Sequence, residues 1–416
     1  MTAETRLEER FHGNRLLLKC LTLDRAQEMG FDPGELTSQD WELVWELAKT
    51  QALTPLLYYR NSESGIIESL PGEIGVSLRQ NMLTSVKHKT HFSQALSDIL
   101  AAFNRASLEL VALKGSHLAE LIYEDPALRV IGDIDLLVHE RDLLACDACM
   151  LELGYGPSKR TWIQNEFTAT HHHLPYYRKP GHPHVELHWT ITKPETPPAI
   201  DLDGLWQRTR AVSIAGVQTR VLSTQDLILH ICIHACYDNL FSDGIRSIVD
   251  LYQIIQSQKG EIDWGLLLEI SARWRVNRCL YLMLHLTHQL AGAEVPKRVF
   301  RSLQPADMQD DIVLSAQNQL FSQVHGSRNF SRLVGTEGLI EKAGTIMGRV
   351  FLSPGEMYRK YDLEPGSPRL YWSYLRRIKE LGLRYGGELV DALRSRADSG
   401  STARNQRLLL DWLSAG

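Results

Sequence analysis

The sequence predicts an α+β fold, a small mixed β-sheet core flanked by N-terminal and C-terminal helical regions. Three observations carry this expectation. Apolar residues recur at helical spacing before residue 84 and again after residue 223, alternation of apolar and polar residues is concentrated between them, and that middle stretch carries the glycine and proline punctuation of strand connections. The chain therefore divides into an N-terminal helical region (1–84), a core (85–222) and a C-terminal helical region (223–416).

Taken in order, residues 41–48 repeat apolar positions at helical spacing behind the capping residues Thr37 and Ser38. Nothing there carries chemistry. An amphipathic pattern over 80–105 leads into an apolar run at 108–113, which is closed by Lys114-Gly115-Ser116 and followed by a helix-like stretch at 117–123 and a strand at 130–138. Residues 140–153 read as a helix stopped at Gly154. The runs 167–178 and 184–191 suit an antiparallel hairpin, and 212–222 a second one turning at Ala215-Gly216. Ser223-Thr224-Gln225-Asp226 has the capping-box pattern, so a helix starts near Thr224. Residues 262–416 are largely helical, strongest at 264–291 and 369–393, with a flexible tail at 395–402.

With 416 residues, 44% of them hydrophobic, the chain can bury a large core. A formal net charge of -5 argues against a general nucleic-acid binder, because such proteins carry the basic excess that neutralises phosphates. No apolar run approaches the roughly 18 residues that would span a membrane, and the N-terminus lacks a signal peptide's apolar stretch. No membrane partner and a cytoplasmic location are expected. The six cysteines show no framework of pairs, and Cys146 and Cys149 read as small core residues on a helix.

The chemistry concentrates in the middle. Asp133 and Asp135 are two apart on a strand, so both carboxylates share one face while Ile134 and Leu136 point to the other. Like charges so close want a cation, and Mg²⁺, or Mn²⁺ in its place, is commonly held by such carboxylates together with substrate phosphates. A later alternating run places Glu186 on a neighbouring strand as a third acid. Gly115 allows close backbone approach, and the helix start beside it offers N–H groups and the Ser116 hydroxyl to phosphate oxygens.

The pattern Leu113-Lys114-Gly115-Ser116, then Asp133-Ile134-Asp135 between aliphatics, then an acid on a later strand resembles the DNA polymerase beta-like nucleotidyltransferase superfamily. More closely, Tyr123 with Asp125-Pro126, Arg129, Gly132 to Val138 and Glu186-Leu187-His188-Trp189 look like a bacterial uncharacterised nucleotidyltransferase family found beside polysaccharide and peptide natural-product genes. The resemblance implies Mg²⁺-dependent transfer of a nucleotidyl group from a nucleoside triphosphate to a small-molecule, saccharide or peptide acceptor. It gives Asp133, Asp135 and Glu186 the metal and the catalysis, and Lys114, Gly115, Ser116 and Arg129 the nucleotide. A nucleotide sugar presents a diphosphate to the same kind of site, so glycosyl transfer stays open, as does a non-catalytic nucleotide-binding protein.

Further polar residues are candidates for the acceptor side. His171, His172 and His173 lie on a predicted strand, where alternation forbids all three facing one way, so His172 together with His188 is taken to line the cleft. His230 and His234 fall four apart on the helix after Thr224, as polar lining, a helix–helix hydrogen bond or a metal pair. Arg246 and Asp250 are again four apart, and read either as a surface ion pair or, from the resemblance, as residues facing the cleft.

Overall fold

A mixed seven-stranded sheet in the order β3-β4-β5-β2-β1-β7-β6 carries the fold, formed by β1 (Leu110–Ala112), β2 (Asp133–Val138), β3 (Gly156–Pro157), β4 (Tyr177–Arg178), β5 (His184–His188), β6 (Arg210–Ile214) and β7 (Val217–Val221). The α+β expectation holds. The computed structural model describes residues 3–62, 64–158, 171–194, 196, 198–322, 357, 361, 367–377 and 396–415. Met1–Gln323 with Trp412–Gly416 form one compact unit and Val324–Asp411 another. The sheet belongs to the first.

At the centre, β2 pairs antiparallel with β1 and parallel with β5, and β1 pairs parallel with β7. The β6–β7 hairpin turns at Ala215 (φ 49°) and Gly216 (φ 79°), two consecutive left-handed residues of the kind a tight two-residue turn requires. One sheet face is apolar. Ile134, Leu136 and Val138 of β2 and Val185 and Leu187 of β5 join Phe92, Leu96, Ile99, Leu100 and Phe103 of the Gly72–Arg105 helix in one core, with Cys146, Cys149 and Met150 of the Leu143–Glu152 helix. The recurrence 92, 96, 99, 103 turns one helix stripe to the sheet, and the same two-residue period that buries Ile134 and Leu136 leaves Asp133 and Asp135 on the opposite face.

Several boundaries differ from expectation. The helix after β1 begins at Lys114, not His117, so the anticipated glycine turn is its first turn. The strand expected over 167–178 is regular only at Tyr177–Arg178, and residues 159–170 lie outside the described residues. Residues 396–402, expected as a flexible tail, belong to the Arg396–Ser414 helix. The helix expected over 369–393 is present through 377, and 378–393 fall outside the described residues. All six cysteines are buried and free, with Cys146 and Cys149 packed as core residues.

Leu96 is fully buried between the long helix and the sheet. Leu96→Ala is expected to cost about 2–5 kcal/mol in urea unfolding, the range for truncating a buried leucine whose surroundings cannot collapse around the gap. A loss below about 1 kcal/mol would mean that the helix is not anchored on this face.

Candidate active site

The parallel register of β2 and β5 brings the acids together. Asp135 is paired with Glu186, and Asp133, at the exposed start of β2, with His184. Asp135 is 6% exposed, and a carboxylate so deep requires partners. It has two: Lys114 Nζ lies 3.5 Å from its Oδ2, and His188 Nε2 lies 3.2 Å from its Oδ1. His188 Nε2 is also 3.5 Å from Glu186 Oε2. Burial opposes ionisation of Asp135, but Lys114 and His188 outweigh it and hold the carboxyl well below its usual range. Asp133 moves the other way, raised by desolvation and then by the charges of Asp135 and Glu186. Two carboxylates two residues apart are thus pushed in opposite directions.

Lys114 is positioned by an unusual backbone. Its φ is 22°, just inside the left-handed region, as β1 turns into the Lys114–Leu121 helix. Gly115 has no room for a side chain, because a Cβ there would lie 2.8 Å from Ile131 Cγ2. The glycine thus lets the helix start pack against the segment leading into β2. Ser116 is 1% exposed, and its hydroxyl has no hydrogen-bond partner among the described residues. An orphaned buried hydroxyl beside a carboxylate cluster is an uncommon arrangement that calls for an explanation, such as a ligand.

The histidines crowd round the same cluster. Residues 172–174 run beside β5, with the Leu174 N–H donating to the Leu187 carbonyl at 2.8 Å and the Trp189 N–H to the His172 carbonyl at 3.1 Å. His173 therefore stands opposite His188, their rings 5.1 Å apart, and its Nδ1 is 4.0 Å from Glu186 Oε2. His172 lies equally close, its ring 5.4 Å from that of His188, because the chain bends here instead of continuing as a strand. Alternation therefore does not separate these two rings, and His173 was missed on that account. Burial first, then His188 and His173, lowers the His172 pKa to about 2.

Opposite them the Thr224–Ile233 helix, capped by Ser223 as its sequence predicts, continues as a π-helical turn over His234–Asp238. Leu240 (φ 45°) and Phe241 (φ 61°) follow in left-handed conformations that cost of order 1–3 kcal/mol each and cluster at functional sites. Burial, and then Lys114, keeps His230 and His234 well below the ordinary imidazole range. Asp238 adds negative charge near Lys114, ranking just after Asp135 among the carboxylates that raise the ammonium's pKa against the effect of burial. Nothing in its spacing pointed to it beyond its place one turn after His234.

Arg246 and Asp250, read either as a surface ion pair or as residues facing the cleft, bond to other partners. Asp250 is 3% exposed and is gripped by Arg129, whose Nε and Nη2 donate at 2.7 and 2.8 Å, and by the Tyr123 hydroxyl at 2.7 Å. Arg246 donates instead to the Val130 carbonyl, which also accepts from Arg129 Nη1 at 3.1 Å. Two guanidinium groups thus clamp a carbonyl three residues before Asp133. Arg129, assigned to the nucleotide from sequence, spends its fork on Asp250.

Three carboxylates therefore stand on one sheet face near the start of the Lys114–Leu121 helix. The sequence model of a family described as Uncharacterised nucleotidyltransferase matches residues 37–292, more than half the chain and the whole of this site. The chain belongs to that family. No curated protein and no solved structure matches it. Asp135, Glu186 and His188 offer donor atoms within 4.8 Å of one another, so the residues present fit the divalent ion such enzymes use.

Two outcomes follow from the burial of these charges. Asp250→Ala leaves Arg129 buried without its partner and is expected to cost about 3–5 kcal/mol in denaturant unfolding, the scale for breaking a buried ion pair. A change under about 1 kcal/mol would return the pair to the surface. His117 is fully buried with neither ring nitrogen bonded among the described residues, and burial lowers its pKa to about 3. Below an unfolded-state pKa of about 6.5 the unfolded chain takes a proton that the folded chain refuses, so stability falls with acidity. Relative to the parent protein, His117→Leu should therefore gain about 2 kcal/mol between pH 7 and pH 5, from about 1.5 pH units at about 1.4 kcal/mol each. Parallel stability curves across that range would show that His117 is not held neutral.

Proposed function

We propose that this chain is a divalent-metal-dependent nucleotidyltransferase that moves a nucleotidyl group from a nucleoside triphosphate to a small-molecule, saccharide or peptide acceptor. The observation that carries the reading is the register of β2 and β5, which sets Asp133, Asp135 and Glu186 on one sheet face beside the start of the Lys114–Leu121 helix. Asp133, Asp135 and Glu186 would hold a divalent ion, which would supply charge neutralisation at the triphosphate and polarise the phosphorus under attack. Asp133 and Asp135 orient the triphosphate from the strand side. The N–H groups at Gly115 and Ser116 receive phosphate oxygens, and the Ser116 hydroxyl, orphaned among the described residues, gains a partner.

Lys114, the first residue of that helix, offers its ammonium to the charge of the leaving pyrophosphate. Glu186 accepts the acceptor hydroxyl's proton as the new O–P bond forms at the α-phosphorus and the bond to pyrophosphate breaks. His172, His188 and His234 border the acceptor side as neutral or hydrogen-bonding rings, while Arg129, Arg246 and Asp250 act at one remove by holding Val130 and so the entry to β2.

Calorimetry with ATP, GTP, CTP, UTP and nucleotide sugars, each with Mg²⁺ and with excess chelator, tests the donor and the ion. Binding of at least one nucleoside triphosphate only with the divalent ion is expected. Equal binding in both conditions overturns the metal assignment, and binding of nucleotide sugars alone turns the reading to glycosyl transfer. With the divalent ion saturating, Glu186→Gln should keep donor affinity within a few-fold while pyrophosphate release falls at least ~10²-fold, the scale for losing a positioned base or ligand. Asp133→Asn should damage both, and a Glu186→Gln enzyme with near-normal release would remove Glu186 from the chemistry.

A further inference from the structure

The carboxylates at this site do not face a ligand alone. Alternation along β5 puts His188 on the same face as Glu186, and its Nε2 lies 3.2 Å from Asp135 Oδ1 and 3.5 Å from Glu186 Oε2. Donor atoms bound to one ion at about 2.1 Å stand about 3 Å apart, so the two separations from His188 Nε2 suit a shared ion. Among the described residues, Asp135, Glu186 and His188 are the group of three metal-ligating side chains that comes together within 4.8 Å; Asp133 is not part of it.

We infer that His188 completes, with Asp135 and Glu186, a mixed oxygen–nitrogen cation site that takes a manganese-class divalent ion in preference to Mg²⁺. The inference rests on the nucleotidyltransferase reading and specifies the ion of that same site. Chemistry favours it, since Mg²⁺ prefers a hard oxygen shell and keeps several of its waters, whereas Mn²⁺ takes the same carboxylates and, as a transition ion, accepts an imidazole nitrogen as well. Burial favours it as well. His188 is 3% exposed and Asp135 is 6% exposed, leaving little room on the protein side for the water shell that Mg²⁺ retains. Outer contacts steady the donors, as supporting groups around metal ligands do. His173 flanks Glu186 Oε2 at 4.0 Å while its Nδ1 is held 2.7 Å from the Leu174 carbonyl, and the His172 and His173 rings pack 5.4 and 5.1 Å from that of His188. Lys114, 3.5 Å from Asp135 Oδ2, competes for the same acid, which disfavours a weakly held ion.

The test uses the full chain stripped with chelator and titrated separately with Mn²⁺ and Mg²⁺ by calorimetry, with pulsed electron paramagnetic resonance on the Mn²⁺-loaded protein. Mn²⁺ should bind at least ~10²-fold more tightly than Mg²⁺ and show ¹⁴N coupling from a directly bound nitrogen. His188→Gln should abolish that coupling and shrink the Mn²⁺/Mg²⁺ ratio at least ~10-fold, whereas His172→Gln should retain it. Absence of ¹⁴N coupling in the unsubstituted protein overturns the inference whether or not any variant folds, and so does coupling that persists in His188→Gln. If nucleotide binding still requires a divalent ion in either case, the nucleotidyltransferase reading stands and only the nitrogen ligand is lost. If neither Mn²⁺ nor any nucleotide binds, both fall together.

Discussion

A carboxylate buried in a sheet must be neutralised, and the neutralisation of Asp135 is the constraint from which the site is built. Its two partners come from different places: Lys114 from the end of β1, reached through a left-handed backbone, and His188 from the adjacent parallel strand. Desolvation alone would drive the carboxyl to its neutral form, and an unpaired buried charge would cost several kcal/mol. The Lys114 ammonium and the His188 hydrogen bond reverse that and leave the acid ionised. Asp133, exposed at the strand start, is left to respond to its neighbours' negative charge.

The strand bearing these acids is held from outside the sheet. Asp250 lies 121 residues from Arg129 and 127 from Tyr123, yet it bonds to both, and Arg246 of the same helix reaches Val130. A buried ion pair of this kind is weak evidence for stability, since well-packed apolar residues often serve as well. Its directional bonds do something packing cannot: they fix the approach of residues 129–132 to β2, and with it the position of Asp133. Ile131 on that segment also occupies the space a side chain at position 115 would need, so the segment leading into the acid strand packs directly on the Lys114–Leu121 helix.

Much of this was legible because it is local. The period of two through residues 133–138 and 184–188, the helix cap at Ser223 and the turn at Ala215-Gly216 each depend on a few consecutive residues, and all appear as read. What escaped depends on distant partners or irregular backbone. Four-residue spacing suggested that Arg246 and Asp250 meet, but a buried carboxylate takes the best-oriented donors available, and the planar fork of Arg129 provides two bonds at once. Alternation could not place His172 and His173, because the chain bends where a strand was assumed. The π-helical turn at His234–Asp238 has no periodic signature of its own and changes which residues face the acids.

That turn bears on how the site handles protons. His117, His172, His230 and His234 are all held towards the neutral form, primarily by burial, while His188 alone is raised, by its hydrogen bonds to Asp135 and Glu186. The His172 and His173 rings, 5.4 and 5.1 Å from His188 and both shifted towards the neutral form primarily by burial, leave the bias towards protonation at a single nitrogen, the one in contact with two acids. Replacement of that proton by a cation would keep the sign of the charge beside both carboxylates. The neutral rings would add polarisable walls without repelling the incoming ion. A site arranged this way could exchange a proton and an ammonium for one divalent ion with no change in the positive charge beside Asp135, so that a deeply set carboxylate would stay ionised through the exchange.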